Sequence, residues 1–143
     1  MPIGVKRIYE SPSRNDGTRV LVDRLWPRGI SKSRAALDAW LRDLAPSDAL
    51  RHWFHARPGA WATFRKRYLK ELADPRATIA LDQLYRLARR RKRLTLLFAS
   101  KNQHHNNAVV LKDLLEGMRK PPRGTGAGAA RALRERKARR MPR

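Results

Sequence analysis

Asp23, Arg24, Trp26 and Arg28 crowd into one segment, Gly17-Thr-Arg-Val-Leu-Val-Asp-Arg-Leu-Trp-Pro-Arg-Gly29, directly after the apolar run Val20-Leu-Val22. A strand needs only the apolar run to be buried, so the charged residues behind it call for another purpose. Arginine offers a planar fork of donors suited to carboxylate or phosphate. Asp23 is then either a general base or the partner that holds an arginine in place. A second polar stretch, Ser100-Lys-Asn-Gln-His-His-Asn-Asn107, follows the apolar run Leu94-Thr-Leu-Leu-Phe-Ala99. Lys101 supplies a mobile point charge, and His104, His105 and Asn106 add groups able to donate or accept protons near neutral pH. If the two runs are neighbouring parallel strands, their trailing loops meet at the carboxyl edge of the sheet, where α/β proteins bind ligands. Arg24, Arg28 and Lys101 then surround a space suited to an oxyanion.

The elements that must position these residues can be read in outline. Ile3 to Tyr9 alternates well enough for a first strand, and Ser11–Gly17 collects turn formers. Pro27 cannot donate to a ladder and biases Trp26 away from helix, so the second strand must stop before it. Ser31 or Ser33 can cap a short helical turn near Lys32. Leu37 to Leu44 has both helical spacing and alternation, and it stays unassigned. Ser47, with Pro46 before it and Asp48 after it, caps a helix to about His55 whose apolar face is Leu50, Trp53 and Phe54. Pro58-Gly59 breaks it. A second helix carries Trp61, Phe64, Tyr68 and Leu72 on one stripe, a pattern of core packing. A third, from Asp74-Pro75, turns Leu81, Leu84, Leu87 and Ala88 inward and ends in the basic run 89–93. Leu94–Ala99 reads as a strand buried on both faces. The last helix carries Val110, Leu111, Leu114 and Leu115 and ends at Gly117.

These elements predict a small three-layer α/β domain, a short mostly parallel sheet flanked by helices, over residues 1–117. From Met118 the apolar periodicity fails. Residues 118–143 are a Pro/Gly/Arg-rich stretch with ten Lys or Arg and one Glu, and they read as a disordered basic tail.

The whole chain of 143 residues has 34 Lys or Arg against 12 Asp or Glu, a net charge of +22, so the part outside the tail is basic as well. That balance implies a polyanionic neighbour or a solubilising surface. With no cysteine, thiolate chemistry and disulfides are excluded. Four histidines stand as His52 with His55 and His104 with His105, but adjacent histidines rarely converge on one ion and no carboxylate stands at ligand spacing, so no metal is expected. Ser100 lacks a nucleophile elbow, and neither a phosphate-binding Walker loop nor a dinucleotide fingerprint is present. No cofactor can be named. The first residues lack the apolar core of a signal peptide and no run is long enough to span a membrane, which predicts a cytoplasmic protein with no membrane partner.

Four separated motifs carry a family resemblance. They are Gly17-x-Arg-Val-Leu-Val-Asp-Arg-Leu-Trp-Pro-Arg-Gly29; Ala45-Pro-Ser47 with Leu50-Arg-x-Trp-Phe54; Trp61-x-x-Phe-x-x-x-Tyr68 with Glu71-Leu72; and Leu94-Thr-Leu-Leu97 through Lys101 to His105-Asn-x-Ala-Val-Val-Leu111. From about residue 3 to 116 the chain resembles the YeaO-like bacterial proteins of unknown function. The resemblance implies a small α/β domain of unassigned activity and marks Asp23, Arg24, Trp26, Pro27, Arg28, Lys101, His105 and Asn106 as motif positions. Asn102 and Asn107 depart from it, standing where relatives often carry an acidic residue and a histidine.

The leading expectation is an anion-binding pocket, in a binding protein or a small enzyme acting on a phosphorylated, nucleotide-like or carboxylated substrate. Asp23 and His105 are the acid–base candidates, and Arg24, Trp26, Arg28, Lys101 and Asn106 are the ligand-binding ones. The alternative is a non-catalytic nucleic-acid-associated basic protein whose core surface and tail meet phosphates. An acidic protein partner is a third option.

Overall fold

The computed structural model describes residues 2–90 and 93–122, and the expected tail lies outside the described residues from 123 onward. The chain packs as two compact units. The first comprises residues up to Ala45 together with Leu84–Arg119, and the second is built on Pro46–Gln83.

The first unit holds the sheet. Its strands are β1 (Ile3–Arg7), β2 (Thr18–Leu21), β3 (Ala39–Trp40) and β4 (Leu94–Phe98), in the order β1-β4-β2-β3. Every pairing is parallel, with Val5 beside Leu96, Leu96 beside Val20, and Val20 beside Ala39. All carboxyl ends therefore lie on one edge. β4 is central and buried along its whole length, which accounts for its unbroken apolar run. α5 (Asn107–Gly117) packs on β1 and β4 through Val110, Leu111 and Leu115. Toward the β2 side, Leu21 and Leu97 join Ile8, Ile30 and Ala35 in a core flanked by Tyr9, Trp26, Leu37 and Trp40.

The ambiguous stretch from Leu37 to Leu44 is neither one helix nor one strand. It holds the two-residue β3 and then a single 3₁₀ turn at Arg42–Leu44. Its pairing is extended by backbone bonds, with Asp38 N–H donating to Arg19 O and Leu41 N–H to Leu21 O. Two competing periodicities in the sequence correspond to a short strand and a turn placed end to end.

Toward the opposite edge, an ionic cluster forms around the buried Asp16, reached by Arg19 from the start of β2 and by the half-buried Lys6 from the far half of β1. Asp16 sits at the end of a 3₁₀ turn (Arg14–Asp16) capped by Ser13 and accepts from Ser13 N–H, Lys6 Nζ and Arg19 Nη1. Arg19 is only 4% exposed. Its Nη2 donates to Ala35 O at 2.7 Å and its Nε to Ala36 O at 3.1 Å, capping α1 (Lys32–Ala35), where Ala36 takes a left-handed φ of 49°. Each charge in this cluster is paired and hydrogen-bonded, the condition under which burial of charge is tolerated. Burial alone would raise the Asp16 carboxyl, but the Ser13 N–H, Lys6 and Arg19 outweigh it and hold it below its ordinary value. A depressed pKa means that the unfolded chain binds the proton first. The stabilisation is therefore complete above about pH 4 and is lost as pH falls through the lower folded value. Urea denaturation across pH 2–6 is expected to show this loss in the wild type, and Asp16→Asn is expected to flatten it while lowering stability at pH 6.

The second unit contains α2 (Asp48–Ala56), α3 (Trp61–Glu71) and the first part of α4 (Pro75–Arg90). Ser47 caps α2 by accepting from Leu50 N–H. It is itself fixed by Glu71, which accepts from Ser47 N–H at 2.8 Å and from its hydroxyl at 2.6 Å. The expected aromatic stripe is core: Phe64 stacks on Phe54 with centroids 4.4 Å apart, and Tyr68 is fully buried. No helix among the described residues is long and apolar enough to cross a membrane.

Candidate functional site

The parallel order puts β4 between β1 and β2, so the segments leaving these three strands meet at one edge. Asp23 lies two residues beyond β2 and links that edge together. Its Oδ2 accepts Ala99 N–H at 2.9 Å, and its Oδ1 accepts from Asn107 Nδ2 at 3.1 Å. Asn107 is 8% exposed and also donates to Val22 O at 3.0 Å. The Asp23 carbonyl in turn accepts from Trp40 Nε1 at 2.7 Å. One aspartate thus ties the exits of β2 and β4, the start of α5 and the end of β3.

The polar loop after β4 is organised by asparagines. Asn102 Oδ1 accepts from the N–H groups of both His104 and His105, and Ser100 Oγ accepts from Asn102 N–H. Asn106 donates from Nδ2 to Asn102 O and caps α5 by accepting Val109 N–H. An aspartate at 102 would accept the same two N–H bonds, so an asparagine there preserves the turn. Asn107, by contrast, makes two donations from one amide, which a single imidazole nitrogen could not repeat.

The cations of this edge have different environments. Arg24 is half-buried, and its Nη2 donates to Ala45 O at 3.3 Å, so it braces the loop. Arg28 and Lys101 are exposed, and neither side chain has a partner among the described residues. Trp26 packs edge-on against Trp40 at 5.3 Å and donates from Nε1 to Ile30 O at 2.6 Å. Its ring is committed to the fold on at least one side. His105 is half-buried and His104 exposed.

Two residues of this edge escaped the sequence reading. Arg7 donates from Nε to Ser100 O at 2.9 Å and from Nη2 to Ala99 O at 3.0 Å, with its guanidinium 4.9 Å from the Tyr9 ring centroid. Tyr9 donates its hydroxyl to Arg28 O at 3.0 Å. Arg7 and Tyr9 therefore bridge the loop carrying Arg28 to the loop carrying Lys101 across the end of β4. Their position at the end of β1 was visible in the sequence, but that β1 adjoins β4 was not.

A parallel α/β unit with a basic carboxyl edge is the class that fold and geometry define. The chain belongs to the family described as the inactive DUF488-N3 subclade, which it matches over residues 2–128. It is 44% identical over 120 residues to the uncharacterized protein YeaO of Escherichia coli strain K12, a match covering 82% of this chain and 100% of YeaO. It is 40% identical over 115 residues to the uncharacterized protein Rv3073c of Mycobacterium tuberculosis, covering 80% of this chain and 94% of that protein. No solved structure gives a significant match.

Proposed function

We propose that the carboxyl edge of the sheet binds a small oxyanion, of the phosphorylated, nucleotide-like or carboxylated class, and holds it without transforming it. The observation that carries this reading is the bridge of Arg7 and Tyr9, which fixes the backbones of Arg28 and Ser100 while the neighbouring Arg28 and Lys101 side chains stay exposed. A fixed backbone with uncommitted cations favours an anion, because little ordering remains to be done on binding. The N-terminus of α5, capped by Asn106, opens on the same edge and adds its dipole.

The reading is of binding rather than catalysis because of Asp23. A general base must have a lone pair available to its substrate. Asp23 instead spends one lone pair on each oxygen to hold Ala99 N–H and Asn107 Nδ2, bonds that fix the carboxylate as a tie between β4 and α5. The family's description as inactive agrees with that role.

Thermal shift of the full chain against inorganic phosphate, pyrophosphate, nucleoside monophosphates and citrate tests the proposal. At a ligand concentration of 100 times Kd the folded state gains about 2.7 kcal/mol, a readily seen rise in Tm. At least one of these anions is expected to give such a rise, with most of it lost in Arg28→Ala and Lys101→Ala. No rise across the panel, or an equal rise in both variants, would overturn the site. Conversion of the bound compound, followed by ³¹P NMR, would overturn the non-catalytic assignment alone.

A further inference from the structure

The second unit carries cations that the sheet-edge site does not use. On α3, Arg65, Lys66, Arg67 and Lys70 are all exposed, and Arg57 follows the end of α2. The carboxylates of this helix pair are spent elsewhere. Asp48 faces Arg51 at 3.6 Å, and Glu71 is bound to Ser47. None of those five cations has a carboxylate partner among the described residues.

Two of the five are also gathered together. The Arg67 guanidinium lies 4.4 Å from the centroid of the Trp53 ring and that of Arg57 lies 5.4 Å from the same centroid. Like charges drawn to one indole repel each other, and the ring quadrupole offsets only part of that repulsion. A phosphate received by either guanidinium would offset the remainder. Guanidiniums held over an aromatic ring are also partly ordered in advance, so less freedom is lost per hydrogen bond to phosphate.

We propose that the α2–α3 face is a nucleic-acid-binding surface on which Arg57 and Arg67, ordered by Trp53, receive backbone phosphates, with Arg65, Lys66 and Lys70 adding unspecific attraction. The run of cations over the last two turns of α3, continued by Arg57, fits a ligand with repeated charges better than a single small anion. A nucleic-acid strand has that charge pattern, and its phosphates match the guanidinium fork. This surface is independent of the sheet-edge site and of any contribution from residues beyond 122.

The test is fluorescence anisotropy of the full chain with labelled single-stranded RNA, single-stranded DNA and duplex DNA, each over a salt series. Arg57→Ala/Arg67→Ala is compared with Lys32→Ala/Arg34→Ala, which removes the same charge from exposed positions on α1. Circular dichroism melts confirm that both variants fold. Loss of both phosphate contacts is expected to weaken binding about tenfold or more and to reduce the log–log salt slope by roughly 1.4–1.8, depending on the strand type. The α1 control should stay within about twofold of wild type, and Trp53→Leu should weaken binding even though no charge is removed. The preferred polymer among the three identifies the strand type. Equal losses in the two double variants would show attraction by net charge alone and would overturn the proposal. So would binding that polyglutamate abolishes as effectively as nucleic acid at equal charge concentration. Arg28→Ala serves as the internal check, since it should remove most of the small-anion shift while staying, like the α1 control, within about twofold of wild type in anisotropy.

Discussion

Asp23→Ala is expected to destabilise the first unit by about 2–4 kcal/mol, because it leaves Ala99 N–H and one N–H of the Asn107 amide without their acceptors in a largely enclosed setting. Urea denaturation of the two proteins at pH 7 measures it. The size matters for function as well as for folding. Residues kept only for chemistry are commonly neutral or even stabilising to remove, since active sites hold charges at the expense of stability. A loss of several kcal/mol marks Asp23 as the tie between β2, β4 and α5, and a loss below about 0.5 kcal/mol would return it to the list of catalytic bases. Asp23→Asn refines the test. If its Oδ1 keeps the Ala99 N–H, its Nδ2 faces Asn107 Nδ2, donor against donor. Turning Asn107 over would point that residue's Oδ1 at Val22 O instead. The asparagine variant is therefore expected to lie closer to alanine than to wild type, although it matches aspartate in size.

Gly17→Ala should have an effect at least as large. Gly17 has a φ of 65°, a region that L side chains rarely adopt, and an added Cβ would come within 2.2 Å of Arg93 O and 2.8 Å of its carbonyl carbon. The neighbouring Thr18 N–H donates to that same Arg93 O at 3.0 Å, a bond that starts the β2–β4 pairing. Relief by local movement must therefore break the ladder at its first rung. The backbone conformation costs about 1–2 kcal/mol and overpacking a further 1–3 kcal/mol, for a total of about 2–5 kcal/mol. A fall in the denaturation midpoint with an unchanged m-value is the expected signature. Gly29 offers a contrast within the same protein. Its φ is 80°, yet nothing lies within 4 Å of a Cβ there, so Gly29→Ala should show the backbone cost alone.

The two substitutions act at opposite edges of one sheet, and this separates the roles of its charged clusters. Toward the amino edge, Asp16 and Arg19 are buried, and with the half-buried Lys6 reaching back from the far half of β1 they are mutually satisfied and lock the turn before β2 to α1. At the carboxyl edge, Arg7 is bound to backbone carbonyls and Asp23 to Ala99 N–H and the Asn107 amide, while Arg28 and Lys101 remain exposed. Charge count alone would not distinguish the edges. Whether each charge has already found its partner does.

Much of the local structure is legible in the sequence because it depends on neighbours along the chain. Ser47 before Asp48 marks a helix start, since a short oxygen-bearing side chain can accept an N–H three residues ahead, whereas Asn106, a ligand-binding candidate in the sequence, turns out to cap α5 in the same way. The unbroken run Leu94–Phe98 announces a central parallel strand, and Pro27 ends the segment after β2. β3 is not legible, because two residues have no periodicity, and they become a strand only by bonding to β2. The residues of the site are legible in the same uneven way: Asp23, Arg28 and Lys101 follow recognisable strands, whereas Arg7 and Tyr9 gain their place only from the order β1-β4-β2.

The sequence by itself determined the α/β character, the basic balance, and two polar segments following buried strands. Those properties follow from residue type and spacing, which act over a few residues. The tertiary structure decided that the two segments share an edge, that Asp23 is held by Ala99 and Asn107, and that Arg57 and Arg67 meet at Trp53. Hydrogen bonds and charges act over a few ångströms between residues up to 93 positions apart, as from Arg7 to Ser100, and no local pattern records which of them the packed sheet and helices will bring together.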